Sequence, residues 1–258
     1  MTAMAAYAAA KARIYQHCQH PVLNRDDAAV MQMMAGLDPA SCYRFSLVLP
    51  PESDRDFAVV MRDGQRVLVR GERVLAPLSA LRLPGEHNAA NALAALALGS
   101  VAGLPEDAML QALQDFPGLP HRTEWVRERA GVNWYNDSKG TNVGAAVAAL
   151  QGLPGKTVLI AGGQGKGADF APLAPVIAEY ARAVVLMGED AGLIAAQVPE
   201  QVPSCRVESM DAAVALAAEW ALPGDNVLLS PACASFDMFN NYMHRGELFA
   251  AAVRRLPE

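Results

Sequence analysis

The chain has few cysteines, and none has the spacing of a zinc site. The four are Cys18, Cys42, Cys205 and Cys233. No two of them are separated by the two residues of a C-x-x-C pair, and no pair of histidines flanks them, so the sequence argues against structural zinc. Unpaired thiols fit a reducing compartment. We therefore expect a cytoplasmic protein.

Long apolar runs and excess positive charge are also missing. No apolar run reaches the roughly 18 residues that a membrane-spanning helix needs, and the Ala-rich start lacks the pattern of a signal peptide. The chain has 21 Lys and Arg against 27 Asp and Glu, a net charge of -6. Such a charge disfavours general nucleic-acid binding. We expect no membrane span and no nucleic-acid partner, so that any anion must be bound by local basic groups.

Two catalytic motifs are absent from the whole sequence. The stretch GGQGKGADF, residues 162–170, surrounds Lys166 with glycines but lacks the G-x-x-x-x-G-K-[ST] spacing of a phosphate loop. The stretch SPACASFDMF, residues 230–239, lacks the G-x-S-x-G pattern of a serine hydrolase. The first stretch is therefore either a flexible turn with a solvated lysine or a loop that directs Lys166 at an anion, which we favour. In the second, Ser235 fits a hydrogen-bond donor to a carboxylate and Cys233 a small buried residue.

The 258 residues suit one large or two ordinary domains. A Pro- and Gly-rich stretch, PGLPHR, separates two differently patterned regions, so we predict domains at 1–117 and 118–258. The first region begins with an Ala-rich helix at 4–17. Short β-type runs follow at 43–74, with an Asp63-Gly64 hairpin signal, and we predict a small antiparallel meander there. In the apolar helix after Gly85, Asn88 and Asn91 share a face, either as caps or as amides facing a ligand.

The second region alternates strands and helices, which predicts an α/β fold with a doubly wound parallel sheet. The predicted strands are 132–135, 157–162, 183–188, 206–208 and 226–230. The predicted helices are 143–150, 170–181, 190–198, 211–221 and 238–256. Ligands of such sheets bind outside the carboxyl ends of the strands. Three polar loops fall there: NDSKGTN at 136–142, GGQGKGADF and SPACASFDMF.

The loop NDSKGTN joins a strand to a helix N-terminus, where unpaired N–H groups and the helix dipole favour an anion. It carries Asp137, Lys139, Thr141 and Asn142. One interpretation is a phosphate or carboxylate site. The other is plain capping by Thr141 or Asn142, with Asp137 and Lys139 solvated. The shared placement of the three loops favours the first.

Six stretches together resemble the Mur ligase family in sequence and order: AAKARIY, GEHNAANALAALAL, GLPHR, WYNDSKGTN, GGQGKGADF and SPACASFDMF. The resemblance covers nearly the whole chain. It implies the C-terminal part of an ATP-binding central domain at 1–117 and a Rossmann-like amino-acid-binding domain at 118–258. The family's UDP-sugar domain, phosphate loop and glutamate and histidine metal ligands have no counterpart in this sequence. We therefore expect a truncated chain that is inactive alone.

The resemblance implies an ATP-dependent, amide-bond-forming ligase of peptidoglycan precursor synthesis, with ATP and Mg²⁺ as cofactors. The SPACAS loop resembles the branch that adds D-glutamate to UDP-N-acetylmuramoyl-L-alanine through an acyl phosphate. Both compounds are then expected as small-molecule partners of a monomer. Cationic groups would stabilise the charge of the phosphoryl transfer.

Site residues follow from the same resemblance, position by position. Lys11 matches the family's carbamylated lysine, and would be a metal ligand only if carbamylated, a modification that requires a neutral amine. Asn88 and Asn91 resemble ATP-contacting asparagines. The groups that the C-terminal domain brings to the nucleotide are Arg122, Asp137 and Lys139. The D-glutamate pocket comprises Thr141, Lys166, Ser235, Phe236 and Tyr242, and the implied catalytic lysines are Lys11, Lys139 and Lys166.

Three positions in or beside the proposed pocket depart from the family pattern. Phe236 and Tyr242 stand where other members have Leu and Phe, and Gln164 stands where an acid can occur. Two other functions stay open. A non-catalytic nucleotide- or amino-acid-binding module is favoured by the absent phosphate loop. A related Mur or folylpolyglutamate-type ligase is disfavoured by the SPACAS and GGQGKGADF loops.

Overall fold

A computed structural model describes residues 3–34, 36–83 and 85–257. The chain divides into two compact units, Met1–Pro117 and Gly118–Glu258. No helix among the described residues is long and apolar enough to cross a membrane.

The first unit contains a five-stranded sheet in the order β1-β2-β3-β4-β5. Its strands are β1 (Val22–Asn24), β2 (Tyr43–Ser46), β3 (Asp56–Arg62), β4 (Gln65–Arg70) and β5 (Arg73–Pro77). Its helices are α1 (Ala3–Ala12), α2 (Ala28–Gln32), α3 (Glu86–Val101) and α4 (Glu106–Asp115), with 3-10 turns at Arg13–Tyr15, Pro39–Ser41 and Leu78–Ala80.

The predicted antiparallel meander is only partly right. Strands β3, β4 and β5 are antiparallel neighbours, and the β3–β4 hairpin turns at Asp63-Gly64. Both turn residues have positive φ, as a tight two-residue hairpin requires. However, β2 pairs in parallel with both β1 and β3. The connection after β2 contains Pro50 and Pro51, which do not form the tight turn that an antiparallel neighbour needs.

The helix α3 covers one face of this sheet. Its buried side chains recur every three or four residues, the period of an amphipathic helix: Ala89, Ala92, Leu93, Leu96 and Ala97. They pack with Phe57, Val59 and Leu68 of the sheet. This packing turns the opposite side of α3, with Asn91, toward solvent.

The second unit contains a six-stranded sheet in the order β10-β9-β8-β11-β7-β6. Its strands are β6 (Glu124–Arg129), β7 (Val132–Asn136), β8 (Thr157–Gly162), β9 (Ala181–Met187), β10 (Ser204–Arg206) and β11 (Asn226–Leu229). Its helices are α5 (Val143–Gln151), α6 (Leu173–Tyr180), α7 (Ala191–Ala195), α8 (Met210–Trp220) and α9 (Tyr242–Arg255).

The predicted doubly wound sheet is confirmed, because buried helix residues cover both of its faces. On one face α5, α6 and α7 pack through Leu150, Ile177 and Ile194. On the other face α8 and α9 pack through Val214 and Phe249. All strand pairs are parallel except the one between β6 and β7.

One strand of this unit was not predicted, and two predicted boundaries differ from the structure. The antiparallel edge strand β6 was not predicted, because EWVRER is charged and has no continuous apolar run. The weak strand lies at Ser204–Arg206 rather than at 206–208. The last helix begins at Tyr242 rather than at residue 238, because Asn241 caps it there by accepting from the His244 N–H.

Candidate ligand-binding site

The three polar loops meet at the carboxyl ends of β7, β8 and β11, which are neighbours in the sheet. The loops after β7 and β11 are joined by the Ser230 hydroxyl, which donates to Asp137 Oδ2 over 2.7 Å. The loops after β8 and β11 are joined by an antiparallel bridge, in which the backbones of Gln164 and Ala234 exchange bonds of 3.0 and 2.9 Å. Hydrogen bonds therefore fix the three loops into one surface.

Glycine allows this close approach at two points. A Cβ on Gly163, where φ is +125°, would collide with the carbonyl oxygen of Ala234. A Cβ on Gly140 would collide with the Asp137 carboxylate. Gly163 thus allows close contact between two loops, and Gly140 leaves room for the Asp137 carboxylate and the Ser230 hydroxyl that bonds to it.

Asp137 is buried rather than solvated. Its residue is 7% exposed, and Oδ1 accepts from the Thr123 N–H over 3.1 Å. Burial raises the pKa of this carboxyl to about 6, against the opposing hydrogen bonds from Ser230 and Thr123. The capping alternative is right for Asn142, whose side chain accepts from the Ala145 N–H over 2.9 Å, but wrong about Asp137.

Arg245 is the residue that sequence reasoning missed. It is 1% exposed on α9, and burial lowers the pKa of its guanidinium to about 10. It donates to Ser138 Oγ over 3.0 Å, to Ser138 O over 2.9 Å and to Cys233 O over 3.2 Å from each of two nitrogens. Arg245 therefore ties the loop after β7 to the loop after β11.

The two lysines of the site lie against aromatic rings. Lys139 Nζ is 4.0 Å from the centroid of the Tyr242 ring. Lys166 is exposed, has φ of +54°, and its Nζ is 5.5 Å from the centroid of the Phe236 ring. Within the part of the chain that the structure describes, no carboxylate forms an ion pair with either lysine. Both positive charges remain available to an anion.

The other D-glutamate candidates differ in exposure. Thr141 is exposed, Phe236 is 65% exposed and Tyr242 is half-buried. Ser235 is only 2% exposed, although it was predicted as a donor to a ligand. Because α9 begins at Tyr242, Ser235 does not stand at a helix N-terminus.

The segment with His121 and Arg122 joins the same surface. The Lys139 N–H donates to His121 O over 3.0 Å. The ring nitrogen Nδ1 of His121 lies 3.0 Å from Asn136 Nδ2, and the ring meets Tyr242 edge-on with centroids 6.0 Å apart. Arg122 is exposed. The structure therefore brings Arg122, Asp137 and Lys139 onto connected segments.

The predicted site residues of the first unit lie on two helices, Lys11 on α1 and the two asparagines on α3. Asn88 is half-buried in the first turn of α3, and Asn91 is exposed one turn later. Lys11 is exposed, with Nζ 5.4 Å from the centroid of the Tyr7 ring. Among the described residues, no group of three or more His, Cys, Asp or Glu is placed to hold a metal ion. The described residues therefore offer no cluster of three such side chains, and the expectation of Mg²⁺ stays a prediction.

Cys233 is fully buried, and burial raises the pKa of its thiol to about 12. A thiol with such a pKa stays protonated near neutral pH and is a poor nucleophile. The prediction that Cys233 is a small buried residue is confirmed.

Two family models match the chain. Residues 1–99 match the Mur ligase middle domain, and residues 121–233 match the Mur ligase glutamate ligase domain. The chain belongs to the Mur ligase family. Its similar relatives include UDP-N-acetylmuramoylalanine–D-glutamate ligases. The one from Nitrosococcus oceani is 54% identical over 97% of this chain and 55% of its own length. The one from Pseudomonas aeruginosa is 52% identical over 98% of this chain and 56% of its own length.

Solved Mur ligase structures share the fold at low sequence identity. The UDP-N-acetylmuramate–alanine ligase MurC of Thermotoga maritima aligns with a TM-score of 0.68 at 16% identity, over 98% of this chain and 56% of that one. The folylpolyglutamate synthase of Mycobacterium tuberculosis, solved with ADP, aligns with a TM-score of 0.67 at 21% identity, over 100% of this chain and 61% of that one. The Mur ligase chain described here spans about half the length of the curated relatives that it matches.

Proposed function

We propose that this chain provides the amino-acid-binding part, and a portion of the nucleotide-binding part, of a ligase that adds D-glutamate to UDP-N-acetylmuramoyl-L-alanine. The surface formed by the loops after β7, β8 and β11 supports this most strongly. It carries two lysines without carboxylate partners at the strand ends where ligands of such sheets bind. The 54% and 52% identity to D-glutamate ligases supports the choice of amino acid.

D-Glutamate carries two carboxylates, and the proposed pocket offers cationic and hydroxyl groups to both. The Lys166 ammonium is a mobile point charge on an exposed loop and would bind one carboxylate. Thr141 is exposed in the loop that precedes α5 and would donate a hydrogen bond. Ser235 would take part only through the small fraction of its surface that is exposed. Phe236 would flank the ligand beside Lys166.

The nucleotide part of the proposal is made for each unit by itself: for the second unit it rests on Arg122, Lys139 and Asp137, and for the first on Asn88 and Asn91. Arg122 and Lys139 would stabilise the negative charge on transferring phosphoryl oxygens. Asp137 already accepts from Thr123 and Ser230, so its main role would be to hold the loop that carries Lys139. The amides on α3 would hydrogen-bond to the nucleotide. The ADP complex of the Mycobacterium tuberculosis enzyme supports a nucleotide ligand.

In the proposed reaction the terminal carboxylate of UDP-N-acetylmuramoyl-L-alanine takes the γ-phosphoryl group of ATP, which forms an acyl phosphate and releases ADP. The deprotonated amine of D-glutamate then attacks the acyl carbon, the C–N bond forms and phosphate leaves. The chain's own contribution is to orient the amine and to stabilise charge. Magnesium bound with the nucleotide would add to the stabilisation of phosphate charge, and no step is assigned to Lys11.

A titration of the whole chain with D- and L-glutamate tests this function. We expect D-glutamate to shift amide resonances at 138–142, 164–168 and 233–242 with weak, millimolar-range affinity, and L-glutamate to bind less well. Lys166→Ala should remove both the binding and the preference. The matched control is Lys156→Ala, because Lys156 lies at the amino end of β8 and donates to Glu179 O over 2.8 Å.

Two results would contradict the proposed function. One is amide shifts that map away from the three loops. The other is binding of D-glutamate to Lys166→Ala that equals binding to the unsubstituted chain.

A further inference from the structure

We propose that Tyr242 is a positioning residue for the Lys139 ammonium. This inference rests on the proposed function, in which Lys139 stabilises phosphate charge. The distance of 4.0 Å from Lys139 Nζ to the Tyr242 centroid is well inside the limit of about 6 Å for attraction between an ammonium and an aromatic face.

The backbone that carries the Tyr242 ring is itself held in place. Its residue is the first of α9, which is capped by Asn241. The Tyr242 carbonyl accepts from Ser138 Oγ over 2.7 Å, and Ser138 Oγ in turn accepts from Arg245 Nε over 3.0 Å. The Ser138 hydroxyl, held by the buried Arg245, therefore links the residue before Lys139 to the backbone of Tyr242.

One ring contacts two segments that carry cations. Its face lies under Lys139, and it meets the imidazole of His121, the neighbour of Arg122, at an interplanar angle of 83°. The same two segments are joined by the bond from the Lys139 N–H to His121 O. Tyr242 is thus placed to set the position of Lys139 relative to the His121–Arg122 turn.

An aromatic ring orients an ammonium without neutralising it. A carboxylate at the same position would also fix Lys139, but it would cancel the charge that a phosphate needs. A free lysine side chain loses roughly 2 kcal/mol of rotamer freedom on being ordered, and an oriented one has less to lose when its ligand binds. The ring therefore prepares Lys139 for an anion.

The Lys166–Phe236 pair offers an internal comparison. Its separation of 5.5 Å is longer, and Phe236 is 65% exposed. Phe236 also lies in the loop after β11, before α9 begins, and the hydrogen bonds that hold the Tyr242 backbone do not include it. A substitution of Phe236 should leave the environment of Lys139 unchanged.

The test measures the ε-methylene proton shifts of Lys139 in the whole chain, together with the affinity for ADP. The Tyr242 ring current should move these protons upfield. Tyr242→Phe should keep the shift and the ADP affinity, Phe236→Leu should keep the shift, and Tyr242→Leu should lose the shift. Tyr242→Leu should also bind ADP about two- to fivefold more weakly, the range expected from loss of an exposed cation–π contact.

A double-mutant cycle separates positioning from a general structural effect. Tyr242→Leu should have no further effect on ADP affinity in a Lys139→Ala background, because the two residues act through one contact. An unshifted Lys139 signal in the unsubstituted chain, an unchanged ADP affinity in Tyr242→Leu, or full additivity with Lys139→Ala would each overturn the inference. If the unsubstituted chain does not bind ADP, the nucleotide part of the proposed function fails, and this inference fails with it.

Discussion

Asp137 is a residue of the proposed site that also affects the unfolding free energy of the second unit. It is a carboxyl group, 7% exposed, that accepts hydrogen bonds from two segments. Burial raises its pKa to about 6, above the ordinary value for Asp. The folded state therefore holds a proton in a pH range where the unfolded chain has released it.

We predict that this carboxyl makes the second unit less stable as the pH rises. The protonated form contributes stability that is fully present below the ordinary pKa of Asp and is lost as the pH rises through about 6. A shift of about two pKa units corresponds to roughly 3 kcal/mol between these limits. Asp137→Asn should remove this contribution and flatten the curve of unfolding free energy between about pH 4 and pH 6.

Urea unfolding followed by tryptophan fluorescence measures the pH dependence of the unfolding free energy of the second unit. Trp125, Trp134 and Trp220 all lie in that unit. The difference between the two proteins isolates Asp137 from the other carboxyl groups. Unfolding curves that run parallel over this pH range would contradict the role of Asp137.

At the residue scale, the sequence predicted which positions belong to the loops but not their surroundings. Lys139 and Lys166 lie on the expected surface, since strand ends and loop composition are local features. The hydrogen bonds that enclose Asp137 come from Thr123 and Ser230, which lie outside its own loop. No local pattern encodes such contacts.

At the scale of elements, α9 holds the loops through Arg245. We predict that Arg245→Met destabilises the second unit by about 3 kcal/mol, because the carbonyls of Ser138 and Cys233 lose their buried donor. Arg245→Lys should recover only part of this loss, since an ammonium cannot reproduce the geometry of a guanidinium.

Arg254→Met is the control for this change. Arg254 lies on the same helix and is exposed, so its substitution should alter stability by less than about 0.5 kcal/mol. Urea unfolding measures both variants. Equal stabilities for Arg245→Met and Arg254→Met would show that the guanidinium does not hold the loops.

The helices and strands also show which structural features a sequence pattern can predict. Strands β8, β9 and β11 are largely apolar runs buried in the sheet, and β7 alternates buried and half-buried residues; each was predicted close to its observed position. The edge strand β6 was missed because its charged side chains reach solvent. Arg245 was missed because an arginine in an amphipathic helix has the same local pattern whether it is solvated or buried. The parallel pairing of β2 depends on strand order, which local patterns do not specify.

At the scale of the whole molecule, the two units match two different domains of one family. The chain spans about half the length of its curated relatives, so its activity is best tested by completing it. Residues 1–258 can be joined to the part of the Pseudomonas aeruginosa ligase that the match does not cover. The completed protein is assayed for phosphate release with ATP and UDP-N-acetylmuramoyl-L-alanine, and this chain alone serves as the baseline.

The amino acid that this completed protein prefers tests the D-glutamate assignment most directly. We predict that phosphate release depends on D-glutamate, falls steeply in Lys166→Ala and is retained in Lys156→Ala. L-Glutamate, L-alanine and meso-diaminopimelate should replace D-glutamate poorly. Preference for one of these amino acids over D-glutamate, or an equal rate in Lys166→Ala, would contradict the account.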